Sequence, residues 1–87
     1  MTALTREEVY ALIDIERNKQ DEKWGALDDK KQNLSGYLLV LEAELNEAKL
    51  GWCKNHPGRN SALAELIQVA ATAVAALEKH GSTGNPL

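Results

Sequence analysis

Cysteine occurs once in this chain of 87 residues, at Cys53, so no internal disulfide can form and nothing ties the fold to an oxidising compartment. Long apolar runs are missing too. No stretch of 18 apolar residues is available to cross a bilayer, and the opening Met1-Thr2-Ala3-Leu4 turns polar within a few residues, unlike a secretion leader. The expectation is a cytoplasmic protein with no membrane partner. Positive charge is also scarce: 10 lysines and arginines face 13 aspartates and glutamates, a net charge of −3. That balance excludes a strong electrostatic grip on duplex nucleic acid, but it admits a nucleotide whose phosphates arrive with a metal ion. There is no glycine-rich phosphate loop, no Ser/His/Asp set and no zinc spacing. Strand alternation and internal repeats are absent as well.

What remains reads as all-α: a small bundle of three main helices per chain, completed by oligomerisation. The length sets one domain, over 1–81, followed by a flexible tail over 82–87. A chain this short buries only about 60–65% of its unfolded surface, so a partner subunit adds much to its stability. Thr5-Arg6-Glu7-Glu8 forms a capping box and opens a helix that runs to about Lys23, with Gly25 as its stop. Val9, Leu12, Ile13, Glu16, Gln20 and Trp24 lie near one face of it. That face turns polar in its second half, which an ordinary core helix would not do. After a polar connection over 26–34, Ser35 or Asn33 caps a second helix from about Gly36 to Lys54. On this helix Leu38, Leu41, Leu45, Ala48 and Trp52 keep the spacing of a packed seam. Asn55-His56-Pro57-Gly58 ends it.

Asn60 or Ser61 caps a third helix reaching Lys79 or His80, with Gly81 as its stop. From Leu66 to Leu77 this helix carries no charge. Leu63, Ile67, Ala70, Val74 and Leu77 form one apolar seam, and Ala64, Ala71, Ala75 and Ala76 make the remainder nearly as apolar. A helix that is hydrophobic all round is buried all round. In so short a chain this calls for another subunit, a homodimer or a homotetramer, with the two-fold dimer as default.

Against that apolar background Glu65 and Gln68 stand together, about 60° apart on the helix and opposite the Leu63 seam. Glu44 and Glu47 have the same i, i+3 relation on the second helix. A buried carboxylate needs a cation or a proton. Two helices that each offer such a pair can converge their oxygens on one point, and oxygen-only ligation suits Mg²⁺ or Mn²⁺. The plain alternative is a solvated helix face, which is how Glu42 reads on the far side of the helix from Glu47.

The first helix adds a more specific pattern. Glu16-Arg17-Asn18-Lys19-Gln20-Asp21-Glu22-Lys23-Trp24-Gly25 resembles the E-R-x-x-Q-x-x-K-W-G opening of small MazG-like proteins, often found in phages and mobile elements. These are all-α nucleoside triphosphate pyrophosphohydrolases, a group that includes dimeric dUTPases. Leu41-Glu42-Ala43-Glu44-Leu45-Asn46-Glu47 is similar to their L-x-E-E-x-G-E helix, and Glu65-Leu66-Ile67-Gln68-Val69-Ala70-Ala71 to E-L-I-Q-V-A-A, where the wider family has E-x-x-D. The likeness runs from about Ile13 to Glu78. It implies metal-dependent cleavage of a (d)NTP to (d)NMP and pyrophosphate, with Mg²⁺ or Mn²⁺ as cofactor. It also implies that Glu44, Glu47, Glu65 and Gln68 ligate metal, and that Glu44, Glu47 and Glu65 carry the catalysis.

Two departures stand out: Ala43 replaces the first motif glutamate, removing an oxygen donor, and Asn46 replaces a glycine. They keep open two alternatives, a catalytically weakened nucleotide- or partner-binding relative and a structural helical assembly module. For substrate contacts the candidates are Arg17, Gln20, Lys23 and Trp24: the cations for phosphates, Gln20 for a base or sugar, Trp24 for stacking. Each has an ordinary reading beside it, a solvated mixed face for the cations and a core staple for Trp24. Trp52 reads as core or interface, His56 and Arg59 as a solvated loop, and Cys53 as an incidental thiol.

Overall fold

The structure, a computed structural model, describes residues 3–24 and 33–81, the side chains of Trp24 and Arg59 excepted. Three α-helices and one 3₁₀ turn account for the described chain, with no strand among the described residues: α1 Arg6–Trp24, α2 Leu34–Cys53, the turn Gly58–Asn60, and α3 Ala62–His80. The expected stop at Gly25, most of the polar connection and the tail over 82–87 lie outside the described residues.

Side-chain caps set the starts of the helices. The Thr5 N–H donates to Glu8 Oε1 at 2.8 Å while the Glu8 N–H donates to Thr5 Oγ1 at 3.1 Å, the reciprocal box expected at the start of α1. Of the two candidate caps for α2, Asn33 acts: its Oδ1 accepts from the Gly36 N–H at 2.7 Å and from the Ser35 hydroxyl at 2.9 Å. The helix therefore begins at Leu34, two residues before the sequence estimate. Ser61, not Asn60, caps α3 by accepting from the Ala64 N–H at 3.2 Å. After α2 the backbone turns left-handed at Asn55 (φ 53°) and again at Gly58 (φ 61°), the first residue of the 3₁₀ turn, conformations that asparagine and glycine tolerate best.

α3 is the central element, packed along α2 and along α1, while α1 and α2 touch each other little. Small residues make the close approaches. Buried apolar positions are Tyr37, Ala48, Ala71, Ala75 and Ala76, and no large side chain is fully buried. At Gly51 a Cβ would stand 2.7 Å from the Asn60 carbonyl oxygen, so only glycine lets the 3₁₀ turn press onto α2. At the far end Tyr37 packs with Ala75 and Ala76, and its ring meets His80 edge-on at 5.9 Å.

Ala48 apart, the expected apolar seams turn most of their large side chains away from this core. On α2, Leu38 and Leu45 are exposed and Trp52 is 79% exposed; on α3, Leu63 is 76% and Leu77 69% exposed. The side of α3 turned inward is instead the stripe Glu65, Thr72 and Ala76, flanked by Ala71 and Ala75. The packed seams expected from spacing are thus largely exposed, because the close approaches between helices are made by small residues on other faces. An open apolar groove of about 440 Å³ lies where Ala48 and Trp52 meet Ala62, Leu63 and Leu66. No described helix is long and apolar enough to cross a membrane.

Candidate functional site

The inward stripe of α3 brings carboxylates together from all three helices. Glu65 stands in the first turn of α3 with 6% of its surface exposed, and Glu44 is half-buried on α2. Each carries a buried oxygen with no hydrogen-bond partner, Glu44 Oε1 and Glu65 Oε2. Burial is the main cause that pushes the Glu65 carboxyl above its ordinary 4.5, followed by the charge of Glu47, a hydrogen bond with Glu47, and the charge of Glu16. The α3 N-terminus favours negative charge, yet it does not outweigh these. Glu44 is pushed up in the same way, first by burial and then by Glu47, Glu65 and Glu16, against a hydrogen bond from Thr72 that favours its charged form. The groups acting on Glu44 and Glu65 are thus the carboxylates of Glu47 and Glu16, the charge of Glu65 on Glu44, and one hydroxyl.

Sequence-derived candidates divide into two sets here. Glu44, Glu47 and Glu65 come together, and Glu16 joins them from α1. Its signal was the polar half of the α1 face, which paired it with Gln20 one turn later. Thr72, on the uncharged stretch of α3, gave no signal beyond lying seven residues from Glu65. Gln68 is half-buried one turn from Glu65, and its side chain forms no hydrogen bond with any described residue.

The substrate-contact candidates are placed differently. Gln20 is buried and donates from Nε2 to Thr72 Oγ1 at 3.1 Å. Arg17 is buried too: its Nε and NH2 donate to the two oxygens of Glu78 at 2.9 and 3.1 Å, and NH1 to Asp21 at 2.6 Å. This bidentate fork ties α1 to α3. Lys23 is exposed in the last turn of α1, and the Trp24 side chain lies outside the described residues. Ala43 is exposed.

Donor chemistry fits a hard divalent cation: the gathered groups are carboxylate oxygens, and two of them are buried without a proton donor or cation. The set is not a closed cage, because no group of three or more acidic, imidazole or thiol side chains among the described residues is close enough to hold a metal ion. Mg²⁺ does not need one, since it binds through one or two carboxylates and completes its shell with waters and substrate phosphates. No protein-family model, curated protein or solved structure matches this chain.

Proposed function

We propose that this protein is a metal-dependent nucleotide pyrophosphohydrolase that converts a (d)NTP to (d)NMP and pyrophosphate, as its resemblance to MazG-like proteins implies. The observation that carries the reading is the pair of buried, unpartnered oxygens on Glu44 and Glu65 beside Glu47 and Glu16. Burying such a pair uncompensated costs stability, and a fold that keeps it has a use for the charge. Glu44 and Glu65 are the residues to hold a divalent cation, with Glu47 and Gln68 beside them. When bound, Mg²⁺ or Mn²⁺ would supply neutralisation of the triphosphate oxygens and acidify a water. A carboxylate not engaged in ligation, Glu47 or Glu16, orients that water or accepts its proton. Arg17 and Gln20 are bonded to Glu78, Asp21 and Thr72, so in this reading they shape the site.

The same reading makes the protein a homo-oligomer, by default a two-fold dimer. Its support is the exposure of Leu38, Leu45, Trp52, Leu63, Leu66 and Leu77 beside a core of alanines and one tyrosine. At on the order of 100 Å² each, these six approach the ~800 Å² that one partner contributes to a standard interface. Leu63→Lys is expected to shift the sedimentation coefficient to that of a single chain.

The activity is tested by incubating the protein with canonical and modified (d)NTPs and Mg²⁺ or Mn²⁺ and measuring pyrophosphate. Release that disappears in Glu44→Gln and Glu65→Gln supports the enzyme. Absence of release together with metal-dependent protection against melting by a nucleotide would move the reading to a binding protein. Neither signal would leave a helical assembly module, which the exposed seams alone would support.

A further inference from the structure

One side of the α2–α3 hairpin is apolar along its length and open to solvent. At one end Trp52 of α2 and Leu63 and Leu66 of α3 line the same groove of about 440 Å³, and Ala48, buried, lines it with them. At the other end Tyr37 packs with Ala75 and Ala76, and the next residue on each helix, Leu38 and Leu77, is exposed. Leu45 is exposed between the two ends. The rim of this side carries two charges of opposite sign. Glu42 and Lys49 are both exposed on α2, two turns apart and so about 10 Å along its axis. Neither enters an ion pair among the described residues. Lys49 also lines the groove. The carboxylates between them, Glu44 and Glu47, are grouped with Glu65 instead.

The midpoint of Glu42 and Lys49 falls between Leu45 and Asn46. A two-fold axis across α2 at that point sets the helix antiparallel to its copy and brings each Glu42 opposite Lys49 of the partner subunit. A parallel pairing would oppose like charges at both places. We infer that this face seats a second copy of the chain, with the two α2 helices antiparallel about Leu45. Glu42 then pairs reciprocally with Lys49 of the partner subunit, and Leu38 of each copy lies in the groove beside Trp52 of the partner subunit. This rests on the homo-oligomer reading, to which it adds the face, the direction and the register; it does not depend on the cation site. The apolar side chains supply affinity, with an exposed area that approaches the ~800 Å² each partner brings to a standard interface. The rim pairs select the orientation.

The test is sedimentation equilibrium on the full-length chain at low salt, with circular dichroism to check folding. Glu42→Lys and Lys49→Glu are each expected to raise the dimer dissociation constant about tenfold, because both rim pairs become repulsive. An equimolar mixture of the two variants is expected to recover native affinity, since each supplies the charge the other needs. Trp52→Ala should raise the constant about 100-fold, as for an aromatic anchor at an interface. Tyr10→Ala, exposed on α1 and off this face, should stay within about twofold of the native chain. A native dimer that neither the charge variants nor Trp52→Ala weakens would overturn the inference and leave the oligomer reading to another face. Weakening by Trp52→Ala with no recovery in the mixture would overturn the antiparallel register, and the inference with it. A native chain that sediments as a monomer at every concentration ends both the oligomer reading and the inference. Should Trp52→Ala fail to fold, the mixing experiment decides alone.

Discussion

α3 carries a carboxylate near each end, and the two are treated in opposite ways. Glu78, in the last turn and next to the α1 seam, meets the Arg17 fork with both oxygens. Glu65, thirteen residues earlier and so about 20 Å along the helix axis, is more deeply buried and leaves one oxygen unpartnered. The exposed carboxylate is compensated and the buried one is not. If both served stability, the cation would stand where burial is deeper. Its placement at Glu78 fastens that end to α1, while at the other end a Glu65 oxygen stays buried and unpartnered.

Substitutions can break this comparison at either end. The largest effect is expected for Glu65→Gln: pyrophosphate release falls on the order of 100-fold, as for loss of a metal-site group, while the metal-free protein melts a few degrees higher because a buried charge is gone. Loss of stability there would mean that Glu65 is structural, like Glu78. Next is Arg17→Met, which removes the fork. Glu78 and Asp21 are exposed and rehydrate, so the cost is held to about 2 kcal/mol and a melting temperature lower by roughly 10 °C.

A smaller, pH-dependent difference separates the two ends. Glu44 and Glu65 have folded-state values raised above their ordinary 4.5, so the folded chain binds more protons than the unfolded one over that interval. The stability they contribute is complete below about 4.5 and is lost as pH rises through the raised values. Melting without metal should therefore fall between acid and neutral pH, Glu44→Gln/Glu65→Gln should flatten that fall, and added Mg²⁺ should protect more at pH 7 than at pH 5. The smallest effect is expected for Ala43→Glu. Because position 43 is exposed, a glutamate there adds charge at the rim and should raise turnover about twofold; unchanged or lower turnover would mean that the missing ligand is not what limits this chain.

Helix ends were legible because they are local. Thr5 with Glu8, Asn33 and Ser61 each act within four residues of themselves, and their side chains cap where the spacing places them. The direction each helix faces was not legible, because it depends on what lies opposite. Trp52 and Leu63 keep ideal seam spacing and are nonetheless the most exposed large apolar residues described. The carboxylates followed the same division. Spacing paired Glu44 with Glu47, an uncharged neighbourhood singled out Glu65, and the resemblance to MazG-like proteins supplied their expected role, whereas Glu16 and Thr72 acquire their place only when α1 and α2 are laid on α3. Arg17 shows the reverse case: its sequence context suggested phosphate, and its partner Glu78 lies 61 positions away.

The close fit at Gly51 reaches beyond packing. α2, the 3₁₀ turn and α3 are adjacent in sequence and are held at Gly51 by a contact that spans only nine residues to Asn60, so this hairpin can form early, before the longer loop to α1 is closed. α1 is attached largely by polar links, at Arg17 and Gln20. Its amide protons should exchange with deuterium ahead of those of α2 and α3, making the helix that carries Glu16 and Gln20 the part of the molecule that opens first.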